Sequence, residues 1–190
     1  MSEPEGSKKA LLPIAALILR VLTMILLLVS LIILVTDSAT FKPVLSSDDV
    51  TIRLKYIYSY RYMLATEVLG LAYTFLRLPF SILYMITGKR LIDVVGLSYF
   101  NLFSDKVILS LLASGVGAGF GATYDLKKNL DDLDDILQRQ GYTIIANIRS
   151  ELDDFFNMGY VSATLLLLGF LFFGVSSFIS SLALSNTAQN

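Results

Sequence analysis

LLPIAALILRVLTMILLLVSLIILV, residues 11–35, is a run of 25 residues that holds one ionisable side chain, Arg20. A helix of that length, rising about 1.5 Å per residue, crosses about 30 Å of hydrocarbon with some tilt. Residues 1–9 ahead of it are polar and end on Lys8 and Lys9. Basic residues followed by an apolar run also open a secretory signal. This run is too long for one, and no small-residue cleavage motif follows it directly, so it is expected to remain as a first span.

Three further stretches read the same way. Residues 60–86 carry Glu67 and Arg77, read as lying toward opposite ends of their helix, and Pro79, which a membrane helix accepts as a kink. Residues 99–124 surround Asp105 and Lys106, and the start is open by several residues because 94–103 is apolar as well. Residues 160–184 hold no charge and are dense in Leu, Phe and Ser. The expected fold class is an all-α membrane protein, a four-transmembrane-helix bundle. Loops at 36–59 and 125–159 lie opposite a connection at 87–98, and an even number of spans puts the tails, 1–10 and 185–190, on one side.

Composition agrees. Of 190 residues 55% are apolar, and the mean hydropathy is +0.68, more than a soluble domain of this size hides. Cysteine and histidine are both absent, which excludes disulfides, thiol nucleophiles, the usual zinc sites and imidazole-ligated haem. No glycine-rich phosphate loop follows a strand, and the lone pair Lys127 and Lys128 is no nucleic-acid footprint. No cofactor, metal or nucleic-acid partner is expected, nor is an enzyme, since no nucleophile accompanies a base.

The loops have their own patterns. Val50, Ile52, Leu54, Tyr56, Tyr58, Tyr60 and Tyr62 alternate with mostly polar residues. This reads equally as a strand or as an aromatic interfacial segment running into the second helix. In the second loop Leu126, Leu130, Leu133 and Leu137 recur at helical spacing beside Asp131, Asp132, Asp134 and Asp135, with Gly141 as a stop. That predicts an amphipathic surface helix. The acidic cluster lacks the alternating ligands, glycine and closing glutamate of a calcium loop, so a solvated face is expected.

Charges in lipid cost a few kcal/mol and ask for a partner or a function. Arg20 sits about 14 Å along its helix, near the expected midplane. Asp105 comes early in the third span, which runs parallel to the first, so the two can meet as an intramembrane ion pair. Such a pair either fixes how two helices pack or marks an ion or proton path; Lys106 beside it can snorkel to the tail-side interface. Gly115, Gly117, Gly119 and Gly121 make two overlapping small-xxx-small pairs on nearly opposite helix faces. Both faces can pack inside the bundle, or one can meet a second subunit. Ser176, Ser177, Ser180 and Ser181 suit close helix contact.

Four spans with Arg20 in the first and Asp105 in the third resemble the Casparian strip membrane domain protein-like (CASP-like) family of plants, distantly related to the tetraspan MARVEL proteins. ILRVLTMILLLVSLIILVTDSAT, residues 18–40, is similar to that family's first helix, including its Thr36–Asp37–Ser38 ending. FSDKVILSLLASGVGAG, residues 103–119, is similar to its third, with Asp105 leading an Asp-Lys-Val triplet. The fourth span fits more loosely, through Ala163, Phe170, Phe172 and its serine-rich end. The resemblance implies a plasma-membrane protein with both termini cytoplasmic, so the amphipathic helix falls in the second extracellular loop. The plain count of Lys and Arg gives the opposite orientation, and mixed loop charges weaken that count. The resemblance further implies a scaffold in the lipid bilayer that associates laterally as a homo- or hetero-oligomer with other CASP-like proteins, with extracellular cell-wall partners. The second outer loop lacks the Trp and Cys often seen in the family, and the first lacks the signature of Casparian strip formers, so a role in lignin deposition is not carried over. The alternative is a small channel or transporter that uses Arg20 and Asp105.

Overall fold

The computed structural model describes residues 5–41, 50–87, 95–139 and 146–188. Lys42, Lys89 and Arg90, which enter the count of Lys and Arg, and Gly141, the expected stop of the amphipathic helix, lie outside the described residues. Four long helices dominate: α1 (Glu5–Thr36), α2 (Tyr58–Thr87), α3 (Val95–Arg139) and α4 (Ala146–Ala188). Each contains a window long and apolar enough to cross a bilayer, at Ile14–Thr36, Tyr58–Leu83, Phe100–Ile136 and Leu152–Leu182. The chain is a multi-pass membrane protein. Its outward faces confirm which solvent it is built for: Ile18 is 59% and Phe75 68% exposed, and side chains of that kind cover the bundle's perimeter as water-facing surfaces do not allow.

The helices form a ring in which α1 packs on α2 and α4, and α3 packs on α2 and α4, leaving α1 and α3 on the diagonal. Lipid offers no hydrophobic drive for helices to associate, so contact rests on close packing and interhelical hydrogen bonds. Leu27, Leu34, Met63, Leu112 and Leu166 are wholly buried along the axis. Pro79 lies inside α2 without ending it.

Between α1 and α2 the chain forms a two-stranded antiparallel sheet, β1 (Ser38–Phe41) and β2 (Val50–Arg53), with Ser38 opposite Arg53 and Phe41 opposite Val50. A 3-10 turn, Leu54–Tyr56, leads into α2. The alternating segment is thus divided. Val50, Thr51 and Ile52, β-favouring residues, are strand, while Tyr58, Tyr60 and Tyr62 belong to the first turns of α2.

The amphipathic segment is helical as expected, but as the continuation of α3 rather than as a separate element. Residues 122–139 contain neither glycine nor proline, so nothing halts the helix where its charges begin. α4 likewise starts at Ala146, well before the uncharged run. The two extensions pack on each other: Leu126 and Leu130 lie against the cluster containing Leu152, Phe155 and Phe156.

Candidate functional site

Polar side chains enter the bundle in separate layers. The first surrounds Arg20 and Asp105, which are 6% and 3% exposed. Arg20, nine residues after Leu11, is met at its own level by Asp105, and Asp105 by Arg77.

Arg20 Nη2 stands 3.9 Å from Asp105 Oδ2, an ionic contact across the diagonal that is too long for a hydrogen bond. The guanidinium's hydrogen bonds go to serines. Nε donates to Ser176 Oγ at 3.2 Å, Nη1 to Ser81 Oγ at 2.7 Å and Nη2 to Ser180 Oγ at 3.3 Å. Each serine passes its own proton to a carbonyl: Ser176 to Ala16, Ser81 to Arg77 and Ser180 to Ser176. Asp105 accepts from Tyr73 Oη at 2.5 Å and lies 3.5 Å from Arg77 Nη1, which also donates to Tyr73 Oη at 2.9 Å. Two guanidiniums therefore share one carboxylate. Sequence reasoning brought Arg20 to Asp105 but set Arg77 aside and gave the serines no role toward Arg20. One polar group per turn on α2 (Tyr73, Arg77, Ser81) and on α4 (Ser176, Ser180) was the available signal.

A second layer lies ten residues on along α1 and ten back along α2. There Ser30, Glu67 and Ser162, all wholly buried, meet: Ser30 Oγ is 2.5 Å from Glu67 Oε1 and 2.8 Å from the Ser162 carbonyl oxygen. Leu27 and Leu112 fill the interval between layers with Thr23 and Thr74, whose hydroxyls donate to carbonyls of their own helices, Leu19 and Gly70. A third contact, Tyr60 Oη to Thr123 Oγ1 at 2.6 Å, closes the far end.

The four glycines separate into two faces. A Cβ on Gly119 would stand 2.6 Å from Met63 Sδ and 3.2 Å from Ala163 Cβ, and one on Gly115 would strike Thr66 Oγ1. Both face inward, against α2 and α4. Around Gly117 and Gly121 nothing lies within 4 Å. With Ser110, Ala113 and Ser114 they make an exposed small-residue seam on the outside of α3, and Lys106, Val107 and Ser110 border an open groove at its tail-side end.

Beyond the bundle, Asp131 and Asp134 of α3 and Asp153 of α4 converge on Arg149. Its Nη2 is 2.7 Å from Asp131 Oδ1, its Nη1 contacts Asp134, and Lys127 Nζ lies 3.4 Å from Asp153. The acidic run thus clasps the two extensions together, and among the described residues no group of three or more acidic, histidine or cysteine side chains is arranged to hold a metal. At the exit of α1, partial burial pushes the Asp37 carboxyl above its ordinary 3.8, against a smaller opposing effect of the Ser38 N–H.

The chain matches the Casparian strip membrane protein domain over residues 9–172. It belongs to the Casparian strip membrane protein domain family. Among its relatives are CASP-like protein 4D1 of Ricinus communis, 43% identical with 90% of each chain covered, and CASP-like protein 4D2 of Arabidopsis thaliana, 37% identical over 97% of this chain and 98% of the relative. CASP-like protein 4D1 of Populus trichocarpa is 40% identical, covering 89% and 85%. No solved structure matches the chain. In this CASP-like protein Arg20, Arg77, Ser81 and Asp105 lie within the matched region, as does the glycine seam, while Ser176 and Ser180 fall beyond its end.

Proposed function

We propose that this CASP-like protein is a non-enzymatic scaffold of the plasma membrane, with both termini cytoplasmic, that associates laterally with copies of itself or of other CASP-like proteins. On this reading it organises membrane domains and recruits partners through its outer loops, for local modification of the cell wall. The supporting observation is the seam of Ser110, Ala113, Ser114, Gly117 and Gly121. Small residues at helical spacing let two backbones approach closely in lipid, and this stripe is exposed, met from α2 by Tyr62 Oη, 2.8 Å from Ser114 Oγ. Arg20, Arg77 and Asp105 serve the scaffold by tying α1, α2 and α3 into one unit. Between the polar layers stand leucines and two threonines whose hydroxyls are bonded to their own helices, an arrangement suited to holding helices rather than to passing ions.

The test is to replace Gly117 and Gly121 together by Leu and to measure self-association by crosslinking in the native membrane and by size in mild detergent. The doubly substituted chain should fold, since each new side chain points into open space, and should lose at least tenfold in association, about 1.4 kcal/mol. Gly115→Leu, which collides with Thr66, should instead damage the monomer. Undiminished association of the Gly117/Gly121 double variant would reject the seam as the interface.

A further inference from the structure

Glu67 is the second acid within the bundle, and its environment differs from that of Asp105. It is wholly buried, and of its two oxygens only Oε1 has a partner; Oε2 has none. No ion pair among the described residues reaches it. Charged side chains lie above and below its level: Arg20, Arg77 and Asp105 about 15 Å toward the tail side, and the exposed Arg61 and half-buried Asp37 about 9–11 Å along α2 and α1 toward the other end. The buried residues brought to its level by α1 (Leu27, Ser30, Leu34), α3 (Leu112, Gly115) and α4 (Ser162, Ala163, Leu166) include no titratable group.

Four short oxygen–oxygen contacts tie this site together. Ser30 Oγ lies 2.5 Å from Glu67 Oε1, 2.8 Å from the Ser162 carbonyl and 3.0 Å from Ser162 Oγ, and Ser162 Oγ lies 3.1 Å from the Ser30 carbonyl. With Glu67 as an anion, only the two hydroxyl protons serve them. Ser162 gives its proton to the Ser30 carbonyl, and Ser30 has one proton for two acceptors, the Ser162 carbonyl and the carboxylate. The Ser162 carbonyl already accepts an N–H within α4, so the cheaper anionic arrangement gives Ser30's proton to the carboxylate, and what remains is Oε2, a charged oxygen buried in lipid with neither a donor nor a cation. A third proton removes that charge. Glu67 then donates to Ser30 Oγ, Ser30 donates to the Ser162 carbonyl and Ser162 to the Ser30 carbonyl. Oε2 is left as a neutral carbonyl oxygen, whose want of a partner costs far less than a bare charge. Among the described residues Glu67 is the one carboxylate at this level, and no group of three or more acidic, histidine or cysteine side chains is placed to hold a metal ion.

We infer that Glu67 is a buried proton-binding site: it carries a proton at neutral pH and closes a directed hydrogen-bond chain from α2 through α1 to α4. Infrared spectroscopy of the whole protein in vesicles, with ¹³C-labelled glutamate, tests this. The chain has four glutamates: Glu3 and Glu5 precede the apolar run at 11–35, Glu151 stands in a charged segment ahead of the uncharged run at 160–184, and Glu67 alone lies inside an apolar stretch. At neutral pH the labelled spectrum should show a single protonated-acid carbonyl band, absent from Glu67→Gln. That variant keeps a donor toward Ser30 and should unfold at the wild-type midpoint. A labelled spectrum containing carboxylate bands alone overturns the proposal, and since that reading needs only the wild-type protein it holds even where a variant fails to fold. The site stands independently of self-association, so neither result bears on the scaffold.

Discussion

At the scale of single residues, Asp105 carries the largest electrostatic obligation in the molecule. It is the one carboxylate within reach of Arg20 and Arg77 among the described residues, and removing one partner of a buried ion pair leaves charge uncompensated where solvent cannot help. Asp105→Asn should therefore lower stability by about 3 kcal/mol, read as an earlier unfolding midpoint in mild detergent and a lower yield of correctly localised protein. An unchanged midpoint would mean that lipid or water neutralises the guanidiniums instead. The meeting of Arg20 with Asp105 was legible beforehand because sequence reports depth: two parallel spans with charges at similar distances from one end can bring them together. Azimuth was not legible. Arg77 was set aside on depth, having been read as lying toward one end of its helix, yet it meets Asp105; the direction its side chain points depends besides on how α2 is rotated against α3. Arg20's serine partners on α2 and α4 were hidden by the same missing angle.

At the scale of elements, apolar length announced all four helices, because a bilayer admits few alternatives for such runs. Their ends were less readable. Charges after Tyr124 mark an exit from lipid, yet leaving lipid does not stop a helix, and only a breaker would have separated the acidic segment from α3. The hairpin-like sheet shows the converse: Val50 to Tyr62 offered two readings, and each took part of the segment. The acidic residues of the second loop acquire a purpose only once α4's early start is known, since Arg149 comes from that extra length. Arg149→Ala should loosen the extensions by roughly 1 kcal/mol, a modest value because the contacts are half exposed. Hydrogen exchange would check it, with faster exchange expected at 126–136 and unchanged protection around Gly115. Equal protection in the extensions of both proteins would assign their cohesion to Leu152, Phe155 and Phe156 instead.

At the scale of the whole molecule, the bundle has an inside held by small residues and polar layers and, on the outside of α3, a small-residue seam. If that seam joins copies, stability couples to mass action: raising the protein-to-lipid ratio should raise the unfolding midpoint of the wild type and leave the Gly117/Gly121 double variant's midpoint where it was. Equal behaviour of both would separate stability from assembly. α3 itself has a mechanical consequence. A single unbroken rod of 45 residues carries Asp105 near one end, the seam in its middle and the Arg149 clasp near the other. Without a hinge to absorb it, a tug on the protruding tip swings the rod like a tiller, and the buried end and the seam turn with it.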